Sequence, residues 1–131
     1  MGNKKNRLII RSRLLDLNKY TNENRTNKYI AANTKKHTLI NVGIECLSQK
    51  KRGLCIIDGD ALYDLKLYWI LPNNKKDPDN IMSEIKFLLD GVVSAKIIDK
   101  DGRKNIRHIS HYIRTIKNQE FVIIRFIKIK K

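Results

Sequence analysis

The run "ALYDLKLYWIL", residues 61–71, sets Leu65, Leu67 and Trp69 on one side of an extended chain and Lys66 and Tyr68 on the other. A period of two suits a strand with one buried face and fits no helix. Two further runs, "IRHISHYIRTI" (106–116) and "EFVIIRFIKIK" (120–130), alternate in the same way, with "KNQ" as the turn between them. "NRLIIRSRLL" near the start and the short "AKII" (95–98) add two more predicted strands. A chain with this much strand has to build a sheet, and the question is what covers it.

Two helices are predicted to do so. From Tyr29 to Leu47 the apolar residues Ile30, Ala31, Leu39, Val42, Cys46 and Leu47 recur at helical spacing. Lys28, Lys35, Lys36 and His37 form the outward face, and "SQKKRG" ends the helix. The second begins after Asn80, a good N-cap, and runs to Gly91, where a left-handed C-terminal residue is wanted. At ~100° per residue, Ile81, Met82, Ile85, Leu88 and Leu89 share one of its faces. Asp79, Ser83, Lys86 and Asp90 line the opposite one. The element order is therefore β, α, β, α, β, β, β. It predicts an α+β (α/β) single domain over residues 1–131, a mixed sheet with two main helices packed on it. At 131 residues the chain has room for one core.

The formal net charge is +15, and its distribution is uneven: residues 1–52 carry 13 basic and 3 acidic side chains, the remainder 15 and 10. Such a balance predicts a polyanionic partner and salt-sensitive attraction to nucleic acid phosphates, with the amino-terminal segment and helix (1–52) as the electrostatic footprint. No run is long enough to span a bilayer and the opening residues lack a signal-peptide pattern, so no membrane association and a cytoplasmic location are expected. Cys46 and Cys55 have neither disulfide nor zinc spacing and are expected as reduced, buried thiols. The five tyrosines are scattered, and none pairs with another in sequence as a base-stacking platform would. His108 and His111, three apart on a strand, face opposite sides and make a poor metal pair.

Against that basic background the acids are concentrated. Six of the 13, Asp77, Asp79, Glu84, Asp90, Asp99 and Asp101, fall between positions 77 and 101. Pro78 disfavours a helical Asp77 and favours an extended one, in which Asp77 and Asp79 project to the same side. Two close carboxylates repel and are relieved by a proton, a cation or a divalent metal, and an oxygen-only donor set suits Mg²⁺ or Mn²⁺. Asp99 and Asp101 follow another strand and would join them if the two strand ends were neighbours. The same residues also have the composition of a solvated loop that caps a helix.

"KKDPDNIMSEIKFLLDGVVSAKIIDKDGRKNI" resembles the signature of the RusA-type Holliday junction resolvases: a basic run, DxDN, a helix with a lysine and a late Asp, a short apolar stretch and a further Asp. The early "LLDLNKYTNENRTNKYIAANTKK" is similar to that family's LN-x-Y segment and basic helix, as in phage-borne members. The resemblance implies a RusA-like fold with its catalytic segment at 75–104, and metal binding by Asp77, Asp79 and Asp101. Asp90 is implied as a supporting helix-end carboxylate and Lys86 as a contact to the scissile phosphate. The chain departs from the family's pattern at Asp99-Lys100-Asp101, where many relatives have adjacent aspartates or Asn-Asp; counting back from "GRKNI" favours Asp101 as the third ligand, with Asp99 the second choice. The basic residues Lys28, Lys35, Lys36, Lys75, Lys76, Arg103 and Lys104 are expected to touch DNA. The implied activity is Mg²⁺-dependent resolution of four-way junctions by a homodimer through paired nicks, in recombination, repair or phage DNA processing. The alternative is a non-catalytic basic DNA-binding or packaging factor.

Overall fold

The computed structural model describes residues 6–11, 28–55 and 57–129, with the side chains of the first helix described from residue 35 onward. In chain order the elements are β1 (Arg7–Ile10), α1 (Lys28–Lys51), β2 (Tyr63–Leu71), α2 (Pro78–Ser83), α3 (Ile85–Ser94), β3 (Ile106–Thr115) and β4 (Phe121–Lys128). The four strands form one mixed sheet in the order β1-β4-β2-β3; β4 is antiparallel to both neighbours and β3 parallel to β2. This is the expected α+β domain, with two departures in its sheet. "AKII" is not a strand: Lys96 takes φ +59°, a conformation that ends α3 and turns the chain. Nor do the last two strands pair as a hairpin. The 116–120 connection passes over the end of β2, with Ile116 N donating to Leu71 O, and lays β4 down on the far side of that strand.

Alternation decides what is buried. Leu8 and Ile10 of β1, Leu65, Leu67 and Trp69 of β2, and Val122, Ile124 and Phe126 of β4 share one face of the sheet. Onto it pack Val42 and Cys46 of α1, Ile81 of α2, and Leu88, Leu89 and Val92 of α3, giving one continuous core. Each such side chain contributes ~1.5–3 kcal/mol when fully buried. The β1 edge is closed by α1: Gln49 donates to Ile9 O at 2.7 Å and accepts from Ile9 N at 2.9 Å, while the Glu45 carboxylate accepts from Arg11 N at 2.9 Å. The β3 edge has no such cover among the described residues, and Tyr112, Ile113 and Ile116 are exposed along or beside it.

The helix after the DPDN motif starts earlier and is less continuous than its pattern predicts. Asp77, extended at φ −70° and ψ 151°, is the N-cap and Pro78 opens the first turn, where a missing N–H costs nothing. Asn80 is thus inside the helix, and a break at Glu84 divides α2 from α3. Gly91 is no C-cap. It lies within α3 where that helix crosses α1, and a Cβ built on it would sit 2.7 Å from Val42 Cβ and collide with Val42 Cγ1. The glycine is there for close helix approach, so Gly91→Ala is expected to destabilise the fold by about 2 kcal/mol. Urea denaturation checks this, and adding Val42→Ala should recover part of the loss. The glycine that does end a helix is Gly53, at φ +72°, with Leu54 N donating back to Gln49 O at 2.9 Å.

Trp69 is core, 3% exposed, and its Nε1 donates to His111 Nδ1 at 2.9 Å. His108 is on the opposite face and lies 3.1 Å from Ser110 Oγ, as the spacing of three requires. Desolvation lowers the His111 pKa below its ordinary 6.5. The unfolded chain therefore takes up this proton first, so the contribution of His111 is complete above about pH 6.5 and is lost as pH falls towards the folded value. Unfolding midpoints measured from pH 7.5 to 5 should decline more steeply in the wild type than in His111→Gln.

Candidate functional site

The crossover from β2 through α2 and α3 to β3 fixes where the acidic residues lie. Asp77 and Asp79 follow the carboxyl end of β2. The linker there is tied down by Lys76 Nζ to Glu84 Oε2 at 2.8 Å, with Glu84 itself 7% exposed. Both aspartates are exposed, one as N-cap and one in the first turn of α2, where the helix dipole favours their charge. Because Asp79 is already helical, the pair does not share the side of an extended chain.

Asp99 and Asp101 lie at the other end of the sheet, before β3, whose Ile106 pairs with Tyr63 at the start of β2. That turn is built on Asn105, which is fully buried. Its Nδ2 donates to Gly59 O at 2.9 Å and Ala61 O at 3.0 Å, and its Oδ1 accepts from Lys100 N at 3.0 Å. Asp99 N adds a bond to Gly59 O at 2.8 Å. The turn is thereby pinned to residues 58–61, and Asp101 projects from it exposed. A parallel crossover returns the chain to the starting end of the first strand, and β2 with its nine residues is roughly 25 Å long at ~3.3 Å per residue.

One chain therefore does not bring Asp101 to Asp77 and Asp79, and among the described residues no three acidic, histidine or cysteine side chains are grouped to hold a metal. The donor chemistry suits Mg²⁺, but the three-carboxylate set does not fit within a single subunit. Asp90 is half-buried on α3 and Lys86 is exposed on its outer side. Cys46 and Cys55 are free and buried, and burial pushes their thiols up to about 12 and about 11, so both stay protonated.

The basic residues divide as well. Lys75 and Lys36 are exposed, as are Arg103 and Lys104 beside the acidic turn, whereas Lys35 is half-buried and Lys76 is held by Glu84. The Lys28 side chain and the early LNKY segment lie outside the described residues. The outer side of α1 is not uniformly basic: beyond Lys36 it exposes Ile40, Ile44 and Leu47, which with Ser94 and Ala95 line a shallow groove. The expected tyrosine scatter is also incomplete, since Tyr68 and Tyr112 meet across β2 and β3 as a stacked pair, 5.0 Å between centroids and 14° between planes. Sequence reasoning missed this pair because a separation of 44 in sequence conceals a parallel strand register.

No family model matches the chain, and comparison with curated proteins and with solved structures finds no match. No described helix is long and apolar enough to cross a membrane.

Proposed function

We propose that the chain is a metal-dependent, structure-specific endodeoxyribonuclease of the RusA type that resolves four-way DNA junctions as a twofold dimer. The observation that carries this reading is the placement of Asp77 and Asp79, exposed together at a helix start with Lys75 beside them, in a chain of net charge +15. A phosphate-binding protein gains nothing from bare carboxylates at such a point unless a cation joins them.

Symmetry supports the dimer. β3 is the open edge, and antiparallel pairing of β3 with a second β3 exchanges the two ends of the sheet across the axis. Asp101 of the partner subunit would then arrive at the end that holds Asp77 and Asp79, about two strand spacings, ~10 Å, to the side of β2. These three carboxylates would hold Mg²⁺, which when bound lowers the pKa of a water and neutralises charge on the phosphate. Lys75 would draw the phosphodiester to the carboxylates, and Lys86, exposed on α3, would steady its free oxygens. Two identical sites on a twofold dimer meet two opposed strands of a nearly twofold junction, which accounts for paired nicks.

The separation of the carboxylates within one chain favours the second reading, a DNA-binding or packaging factor without catalysis. Incubating the protein with a synthetic four-way junction and with linear duplex, with and without Mg²⁺, separates the two. Cutting of the junction alone, and only with Mg²⁺, is expected. Equal cutting of both substrates contradicts a resolvase, and tight binding with no cutting assigns the chain to the second class.

A further inference from the structure

The sheet face turned away from the helices carries a pattern that core packing does not require. Arg7 of β1 is directly opposite Arg125 of β4, and Arg125 is directly opposite Lys66 of β2. With strands ~4.8 Å apart, three cations stand in a row about 10 Å long, close to the Debye length of ~8 Å at physiological salt. Like charges directly opposite on a sheet destabilise it. The sole acid on this face among the described strand residues is Asp64, and a two-pronged bond from Arg107, at 3.0 and 2.7 Å, already engages it. Arg125 Nε is buried with no hydrogen-bond partner. Among the described residues the row is thus charge without a counter-charge.

The next row along the strands is apolar: Tyr68 of β2 is flanked by Ile123 of β4 on one side and Tyr112 of β3 on the other, the tyrosines stacked and Tyr112 47% exposed. Arg114 stands exposed beyond them on the same side of β3. Cations, then rings, then a cation again is an arrangement that a DNA duplex cannot use in full, because a duplex offers a flat sheet its phosphates and keeps its bases stacked inside. An unpaired strand offers both, phosphates to the cations and base faces to the aromatic row.

We propose that this sheet face is a single-strand-binding platform, separate from the carboxylate ends, with Arg7, Arg125 and Lys66 on the phosphates and Tyr68 and Tyr112 under the bases. It needs neither metal nor junction, and it deepens the nuclease reading by supplying a seat for the strand that opens at a branch point. Under the proposed twofold, the faces of both subunits would lie on the same side of one continuous sheet.

The test is fluorescence anisotropy of a labelled 12-residue oligothymidylate with the full chain in EDTA, against a labelled duplex. Lys66→Glu places a carboxylate opposite Arg125, so thermal stability should hold or rise. Oligothymidylate affinity should fall at least about tenfold, and the log–log salt slope should become shallower by about one. Lys66→Gln should give a smaller loss in the same direction. Tyr112→Ala should weaken oligothymidylate binding about fivefold or more and leave duplex binding within about twofold. Wild-type binding of the oligothymidylate by all three variants, or equal loss on single strand and duplex in Tyr112→Ala, overturns the platform. Asp79→Asn should bind the oligothymidylate normally. If the wild type never cuts junctions, the nuclease proposal fails while the platform stands; if it cuts but the three variants bind as wild type, the reverse holds.

Discussion

Asp79→Asn is expected to lower Mg²⁺-dependent cleavage of a four-way junction by at least ~100-fold while leaving junction binding unchanged or tighter. The substitution removes one charge from an exposed position in the first turn of α2, where no described contact depends on it, so unfolding midpoints should stay close to wild type. Binding is predicted to survive because the net charge rises and every cation that attracts phosphate, Lys75 included, is kept. Gel-shift titration in EDTA and a cleavage time course in Mg²⁺, run on the same preparation, read the two effects separately. Loss of binding in parallel with cleavage would show that Asp79 supports structure and not chemistry.

Asn105→Ala is expected to cost about 3 kcal/mol, the largest stability loss of any alanine substitution considered for this chain. The amide is fully buried and makes three bonds, two as donor and one as acceptor, and alanine leaves the buried Ala61 O and the part-buried Gly59 O and Lys100 N without that partner. The effect should extend to function, because the same amide holds the turn from which Asp101 projects. Urea denaturation followed by circular dichroism measures the first consequence. A weakened junction cleavage at temperatures where the protein is still folded would report the second, and Asn105→Asp, which keeps the acceptor but sets a buried carboxylate oxygen against the two carbonyls, should cost at least as much as alanine.

The parts of the fold that were legible in the sequence are those fixed by local period. The alternation of Leu65, Leu67 and Trp69 gave β2, its two relatives gave β3 and β4, and the first helix, expected from its apolar spacing over 29–47, runs over 28–51. What the period could not reveal was which strand neighbours which. β4 inserts between β1 and β2, so Arg7, Arg125 and Lys66, spread over 118 positions, become a single row, and nothing local in the chain announces it. Gly91 had the sequence context of a helix stop, but the helix continues because α1 comes close enough to require a residue without a side chain.

The carboxylates divide along the same line. Pro78 correctly signalled an extended Asp77, and the exposure of Asp77, Asp79 and Asp101 agrees with a surface role. Their convergence was conditional on two strand ends being neighbours. A crossover to a parallel strand makes those ends opposite, a consequence of strand direction, which spacing does not encode. That single topological fact moves the proposed site from within the chain to between two copies of it.

The most direct test of a shared site is subunit complementation. Asp79→Asn and Asp101→Asn chains, each inactive on its own, are mixed under conditions that allow subunit exchange and assayed on a four-way junction with Mg²⁺. In a mixed dimer one end of the sheet has lost both contributions, while the other joins intact Asp77 and Asp79 from one chain to intact Asp101 from its partner. The account predicts that the mixture regains nicking, at one strand per junction and without paired resolution. A mixture that exchanges subunits yet remains as inactive as either parent would contradict it.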